Sequence, residues 1–225
     1  MINDLAVVIH TCDKYKFAWE GWWKTFSEHW DFNLGIDIYF ANEIIDVNFD
    51  GIKQLKTGEG EWSDRLNRAF NMIPHKHVLY WQEDMWMINK LDDFSQYYND
   101  FVKYDMDYLM FMTQLDDKNE HQNYFKFNDK IIEDKYLHFN SEITPWIIFH
   151  QPAIWKKDFF LEYLQHSEDP WVNEIEGTLR AKENHKIKEI KIYNVKDLCM
   201  WYASVVHRGK FLHLADQVLN GVYKQ

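Results

Sequence analysis

Two cysteines, four prolines and eight glycines are all that this 225-residue chain holds of those residue types, and each shortage excludes a class. So little glycine and proline, beside 46% hydrophobic and 27% charged residues, excludes a collagen-like fibre and a low-complexity, disordered chain. Cys12 and Cys199 offer neither a metal-binding spacing nor a disulfide framework, and they suit a reducing compartment. Positive charge is short as well: 25 Lys and Arg against 36 Asp and Glu leave a net charge of −11. A nucleic-acid duplex is therefore not expected as a partner, because no electrostatic footprint for a phosphate backbone exists. The first apolar run, Leu5 to Ile9, follows Asn3 and Asp4 directly. It is too short for a signal-peptide core and far too short to cross a bilayer. A cytoplasmic protein with no transmembrane segment is expected.

Aromatic residues are in excess, at 18% with 11 Trp. Some must serve the core, and flat apolar faces also bind sugar rings. The length fits one domain, residues 1–225, with a substantial core and no repeat or low-complexity linker. Leu5–Ile9 reads as a buried strand that ends in His10-Thr11-Cys12-Asp13. Trp19, Trp22, Trp23, Phe26 and Trp30 follow at helical spacing, a stripe best read as packing. Ile36 to Phe40 is a second strand. After the stretch Lys56 to Trp62, Ser63 suits the N-cap of a helix carrying Leu66, Ala69, Phe70 and Ile73, stopped by Pro74. Val78 to Trp81 then reads as a strand buried on both faces. The order strand-helix-strand-loop-helix-strand argues for a parallel α/β core. Beyond it, Leu91 to Lys103 reads as a helix, and Tyr108 to Phe149 as added strands or an insertion. Asp169-Pro170 is a helix start with its cap and N1 proline, Ile190 and Ile192 suggest a late strand, and Phe211 to Val222 a mixed tail.

The segment Gln82-Glu83-Asp84 delivers adjacent acids straight out of an apolar strand. Ligands of open α/β sheets collect beyond the carboxyl ends of such strands. Two carboxylates there can hold a divalent cation, and the cation a diphosphate; the plainer alternative is a turn whose acids sit in water. Only four arginines exist. Arg65 and Arg68 share one face in the first turns of a helix, where a guanidinium near the free amides suits phosphate or ribose oxygens; alternatively they answer Asp64 and Glu61 on the surface. His207-Arg208-Gly209-Lys210 is the most basic short run near the C-terminus. Arg208 and Lys210 can neutralise a departing diphosphate, and His207 is a candidate metal ligand beside Asp84. Trp171 and Glu174 stand one turn apart, with Ile175 and Leu179 expected to continue a buried side. Glu174 at the edge of that face could be tuned by desolvation for acid–base work; an ordinary amphipathic helix is the alternative. Glu176 points roughly 200° away from Glu174.

Taken in order, Val8-Ile9-His10-Thr11-Cys12-Asp13, Trp62-Ser63-Asp64-Arg65, Leu79-Tyr80-Trp81-Gln82-Glu83-Asp84, Gln151-Pro152-Ala153-Ile154-Trp155, Asp169-Pro170-Trp171 with Glu174, and Arg208-Gly209-Lys210 span nearly the whole chain. This ordered set resembles the small GT-A-fold glycosyltransferases of bacterial capsule and related polysaccharide clusters and of some large DNA viruses. The resemblance implies an α/β nucleotide-diphospho-sugar transferase domain, its mostly parallel central sheet flanked by helices. Residues 1–90 would form the nucleotide-binding half and 91–225 the acceptor-side half. It implies a nucleotide-sugar donor, a divalent metal (Mn2+ or Mg2+) and transfer to a hydroxyl of a saccharide or glycan acceptor. Thr11 and Asp13 would lie near the nucleoside, Asp64 and Arg65 near ribose and diphosphate, with Glu83, Arg208 and Lys210 also on the donor. Asp84, with His207, would take the metal. Gln151 and Trp171 would face the acceptor, and in an inverting reaction Glu174 would be the catalytic base; inversion and retention are both left open. One departure is visible: Gln82-Glu83-Asp84 stands where many members have Asp-x-Asp, and Gln82 supplies no charge, so either the metal is held more weakly or Asp84 is its sole acidic ligand. Two rivals stand beside this reading. One is a non-catalytic carbohydrate-binding protein using Trp and Tyr faces. The other is a sugar nucleotidyltransferase, whose Gly-rich triphosphate-binding segment near the first strand is missing here.

Overall fold

The computed structural model describes residues 2–111, 114–115, 126–184, 189–196 and 202–222. The first part of the chain runs β1 (Leu5–His10), α1 (Lys16–His29), β2 (Asp37–Asn42), β3 (Lys53–Lys56), α2 (Trp62–Met72), β4 (His77–Gln82) and β5 (Met85–Met87). Then follow α3 (Phe94–Lys103), β6 (Tyr108–Met110), β7 (Gln114–Leu115), β8 (Phe127–Ile132), β9 (Tyr136–Phe139), β10 (Ala153–Lys156) and α4 (Lys157–Glu162). α5 (Pro170–Val172), a π-helical turn (Asn173–Gly177) and α6 (Thr178–Glu183) run on without a break. The last elements are β11 (Ile192–Val195), β12 (Tyr202–Ser204), β13 (Val206–His207), β14 (Lys210–Phe211) and α7 (His213–Leu219).

Nine strands form one sheet in the order β3-β2-β1-β4-β10-β6-β11-β9-β8. β3, β2, β1 and β4 are parallel neighbours, as are β6 and β11. β10 is antiparallel to both β4 and β6, and β9 is antiparallel to β11 and β8. All but β10 and β9 therefore point the same way, the mostly parallel α/β sheet expected from the sequence.

The apolar runs explain why β1 and β4 occupy the centre. Every residue of β1 is buried, and alternate side chains go to opposite faces. Leu5, Val7 and Ile9 join Trp19, Trp22, Phe26 and Trp30 of the α1 layer. Ala6 and Val8 join Leu66, Ala69 and Phe70 of α2, with Tyr80 of β4 and Phe160 of α4. The tryptophan stripe of α1 is thus core. No helix among the described residues is long and apolar enough to cross a membrane.

Three local expectations are corrected. The cap of α2 is Glu61, and Ser63 lies inside the helix; its hydroxyl instead accepts the backbone N–H of Glu168 at 2.9 Å. β3 is an edge strand without an apolar run to announce it: only Leu55 of its four residues is buried. Ile175 and Leu179 are half exposed, not buried. Their helix buries Asn173, Gly177, Thr178 and Ala181 instead, because it lies close against backbone: a Cβ at Gly177 would sit 3.2 Å from the Tyr163 carbonyl oxygen. Small or hydrogen-bonding residues fit that contact, and large apolar ones are turned outward.

Candidate active site

A cavity of about 510 Å³ opens where β1 and β4 end and β10 begins. Antiparallel pairing puts the start of β10 beside the end of β4, with Ala153 opposite Tyr80. His10 and Thr11, the acids after Gln82, and His150 and Gln151 before β10 therefore share one rim. Such a crevice beyond the strand ends is where open α/β sheets bind ligands. Trp171 and Glu174 close one side, and His207 and Arg208 of the β13–β14 hairpin close another.

The acidic loop is held by its backbone. The Trp81 indole N–H donates to the Met85 carbonyl at 2.6 Å, and the Trp86 indole to the Glu83 carbonyl at 3.1 Å. Val205 N–H donates to the Asp84 carbonyl at 2.9 Å, which docks the hairpin segment over the loop. Trp86 in turn fills the notch left by Gly21 of α1, where a Cβ would sit 2.1 Å from the indole. The side chains are thereby left to the cavity. Asp84 Oδ1 is buried with no hydrogen-bond partner among the described residues. Burial pushes Asp84 up to about 6. Burial, with the Asp84 charge beside it, pushes Glu83 well above the carboxylate range. A cation would relieve both costs. Among the described residues no three His, Cys, Asp or Glu side chains converge as a metal cage. The donor set fits a cation shared between a carboxylate and phosphate oxygens, as Mg2+-type sites commonly are.

Of the two helix arginines only Arg65 enters the cavity. It is 5% exposed, its Nε donates to the Gly60 carbonyl at 3.0 Å, and one terminal nitrogen donates to the Thr11 carbonyl. Arg68 is exposed and donates to the Glu59 carbonyl at 2.7 Å. The shared face expected for the pair is divided by these anchors. Thr11 lines the cavity, its hydroxyl accepting the Trp19 indole N–H at 2.8 Å.

Three residues of the expected set stand apart. Asp13 lies outside the cavity lining. Its carboxylate accepts the backbone N–H groups of Glu43, Ile44 and Ile45 and the Asn42 amide. Burial alone would raise its pKa, but those donors hold it below the ordinary value. Asp64 faces a separate hollow, where it pairs with His166 Nδ1 at 2.6 Å. Lys210 is exposed on β14 and outside the lining, while its hairpin partner His207 is part of it.

On the opposite wall, Asp169 caps α5 by accepting the Val172 N–H at 2.8 Å, with Pro170 at N1. The π-helical turn then presents Glu174 inward and Glu176 to solvent. Glu174 accepts the backbone N–H of His150 at 2.9 Å, and burial pushes its carboxyl up to about 7. Trp171, at 66% exposed, forms the rim. The Gln151 side-chain oxygen accepts the Tyr202 hydroxyl.

The cavity also includes His10, Trp62 and Cys12, which stand in the resembling segments without an expected role, and His150 and Tyr15, which the sequence did not single out. For His10 the signal was present, since it ends the same kind of apolar strand as Gln82. His150 carried none, because its place depends on β10 inserting beside β4.

No protein-family model matches this chain, and no curated protein matches it. Solved structures do. S. aureus TarS 1–349 in complex with UDP-GlcNAc aligns with a TM-score of 0.58 at 11% identity, over 94% of this chain and 60% of that one. The mannosyltransferase PcManGT from Pyrobaculum calidifontis, in complex with GDP-Man and Mn2+, aligns at 0.56 and 11% identity, over 92% and 58%. An apo UDP-glucose pyrophosphorylase aligns at 0.54 and 9% identity, over 100% and 99%. This chain thus spans about 60% of the length of the first two. Identities this low speak for the fold alone, and that fold is GT-A-like.

Proposed function

We propose that this protein is a metal-dependent glycosyltransferase that moves a sugar from a nucleotide-diphosphate donor to a hydroxyl of a saccharide acceptor. One observation supports this above the others. A single cavity joins a buried carboxylate oxygen of Asp84, unpartnered among the described residues, and the guanidinium of Arg65 to the inward carboxyl of Glu174 on the facing wall. The fold neighbours agree in kind: TarS was solved with UDP-GlcNAc and PcManGT with GDP-Man and Mn2+.

Asp84, with His207 on the hairpin above it, would hold a divalent cation, Mn2+ or Mg2+, which when bound neutralises charge on the donor diphosphate. Arg65 and Arg208 bind and orient that diphosphate, and Thr11 lies on the same side. Trp171 offers the acceptor an apolar wall. Glu174, ionised above about pH 7, takes the proton of the acceptor hydroxyl as its oxygen bonds to the anomeric carbon. The bond from that carbon to the diphosphate oxygen breaks, and the nucleoside diphosphate leaves. Asp13, Asp64 and Lys210 take no direct part in this account.

The likeness to a pyrophosphorylase does not favour nucleotidyl transfer, because no glycine follows β1 before Gly21 to form a triphosphate-binding loop. A carbohydrate-binding protein without catalysis remains the contrasting reading, and one experiment separates the two. Thermal shift with UDP-, GDP- and CMP-sugars, each with and without manganese, should show stabilisation only when nucleotide and metal are present together. Asp84→Asn should abolish the metal-dependent part, while the free protein melts at or above the parent at neutral pH because a buried carboxylate has been removed. A protein that responds to saccharide alone, or an Asp84→Asn variant that binds like the parent, overturns the proposal.

A further inference from the structure

Two histidines on the cavity floor have no role in that scheme. His10 ends β1 and His150 precedes β10, so they flank the end of β4 on its two sides. Both are 2% exposed and both line the cavity. Neither ring nitrogen of His10, and not Nδ1 of His150, has a hydrogen-bond partner among the described residues. The remaining nitrogen of His150, Nε2, lies 2.9 Å from Asn173 Oδ1. Trp62 stands against both rings, with centroids 5.8 Å from His10 and 4.6 Å from His150. Its indole N–H donates to the Tyr80 hydroxyl at 3.2 Å, which also accepts from the Gln82 amide at 2.9 Å. A phenol that accepts twice still has its own proton to give.

Buried polar atoms without partners cost stability and are rare in folded proteins. Three such nitrogens around one indole ask for a ligand that both gives and takes hydrogen bonds. Burial keeps both rings uncharged, pushing His10 well below its usual range and His150 down to about 3. A neutral imidazole has one N–H donor and one nitrogen acceptor. That pair matches a hydroxyl, and it does not match a diphosphate, for which charged arginines stand nearby. An apolar ligand would leave the nitrogens unsatisfied. A sugar fits all of it, with a C–H face toward Trp62 and hydroxyls toward the imidazoles.

Position decides which sugar. His10 adjoins Thr11, whose carbonyl is gripped by Arg65 on the donor side. The backbone N–H of His150 holds Glu174 on the acceptor side. The group in transfer must lie between diphosphate and base. Resting on the transferase reading above, we propose that His10 and His150 read the hydroxyls of the transferred sugar and so set donor-sugar specificity.

The test is isothermal calorimetry with manganese and no acceptor. Parent, His10→Phe and His150→Phe are titrated with the bare nucleoside diphosphate, with whichever UDP-, GDP- or CMP-sugar the parent binds, and with its monodeoxy analogues. The parent should lose at least tenfold in affinity when one or two particular hydroxyls are removed, since a site built to bond a hydroxyl rejects the analogue lacking it. His10→Phe should erase the penalty at one position and His150→Phe at another, with the bare diphosphate bound within twofold of the parent. Without ligand His10→Phe should melt at or above the parent, because it removes unsatisfied buried nitrogens; a merely structural histidine would lower the melting point. His10→Leu repeats the measurement if Phe proves too bulky to fold. Penalties that survive both substitutions, or bare-diphosphate affinity that falls with them, overturn the proposal while leaving the transferase reading intact. A parent that binds no nucleotide sugar overturns both.

Discussion

The wall of the cavity built by β1 and β4 and the wall built by the α5–α6 helix and the β13–β14 hairpin are held in different ways. The first is fixed by burial. Leu5 to Ile9 and Val78 to Trp81 have no exposed surface, and the residues that matter are the first to leave those strands. The second is fixed by polar contacts between segments far apart in sequence. Glu168 accepts both terminal nitrogens of Arg180 and the Asn173 amide, and its own backbone is pinned to Ser63 of α2. A wall set by packing should respond to changes of shape, whereas a wall set by hydrogen bonds and charge should respond to single polar substitutions and to pH.

The largest expected effect separates chemistry from binding on the second wall. General-base help is typically worth about 10²–10⁴ in rate. Glu174→Gln keeps the acceptor of the His150 N–H and removes the basicity, so transfer should fall by that order while nucleotide affinity holds. Glu176→Gln, which faces solvent, should be nearly silent. The parent's rate should climb with pH and level off above about 7, where Glu174 is ionised. Stability runs the opposite way. A carboxyl whose pKa is raised on folding contributes stability below its unfolded value, near 4.5, and loses it as pH rises through about 7. Glu174→Gln should therefore melt higher than the parent at pH 8 and level with it at pH 4.5. Equal melting at both values would show that the carboxyl is solvated.

Glu168→Ala tests whether the polar wall depends on its hub. Glu168 is buried against Arg180 at 2.8 Å, and removing one partner of a buried ion pair leaves the other uncompensated. The cost should be about 3 kcal/mol, a fall in melting temperature of roughly 6–12 °C at this chain length. Acceptor KM should rise more than donor affinity falls. A loss under about 1 kcal/mol would mean that solvent already screens the pair.

These contrasts explain how much of the molecule the sequence disclosed. β1, β4 and α1 are readable because burial writes periodic apolar patterns, and the acids after Gln82 are readable because they interrupt one. The Asp169-Pro170 start is readable because capping is local. Asp13 shows the opposite case. It stands two residues after Thr11, yet its carboxylate is consumed by residues 42–45, about 30 positions along. Asp64 is drawn away by His166, 102 positions along. No residue pattern near either acid announces such partners. The outward turn of Ile175 and Leu179 was hidden for a related reason: what the helix buries is decided by the backbone it meets at Tyr163.

Gly21→Ala applies the contrasting test to the packed wall. The added methyl would meet the Trp86 indole at 2.1 Å, and that indole holds the Glu83 carbonyl. Overpacking of this kind costs about 1–3 kcal/mol. Denaturant unfolding should show that loss, and metal-enhanced nucleotide binding should weaken with it although no ligand-facing atom has changed. Intact binding in a destabilised variant would show that the acidic loop is held from elsewhere.

The smallest effect is expected at the tip of the hairpin, and its sign is informative. Arg208 and Gly209 both have positive φ, 49° and 75°, between paired His207 and Lys210. Two central residues of that kind make the type I′ turn that two-residue hairpins prefer, and the first of them is usually Asn, Asp or Gly. An arginine there carries a left-handed strain of about 1–2 kcal/mol, and its side chain is nevertheless among those lining the cavity. Strain retained at a ligand-facing position argues that the guanidinium is wanted there. Arg208→Asn should relieve part of the strain, raising stability by about 0.5–1 kcal/mol while weakening nucleoside-diphosphate affinity. The gain should appear as a melting rise of roughly 1–4 °C without ligand, and the loss in calorimetry with manganese. Lys210→Ala, outside the lining on the same hairpin, should change neither. Should Arg208→Asn gain stability and keep its affinity, the hairpin would be a cover for Asp84 and not a clamp on the diphosphate.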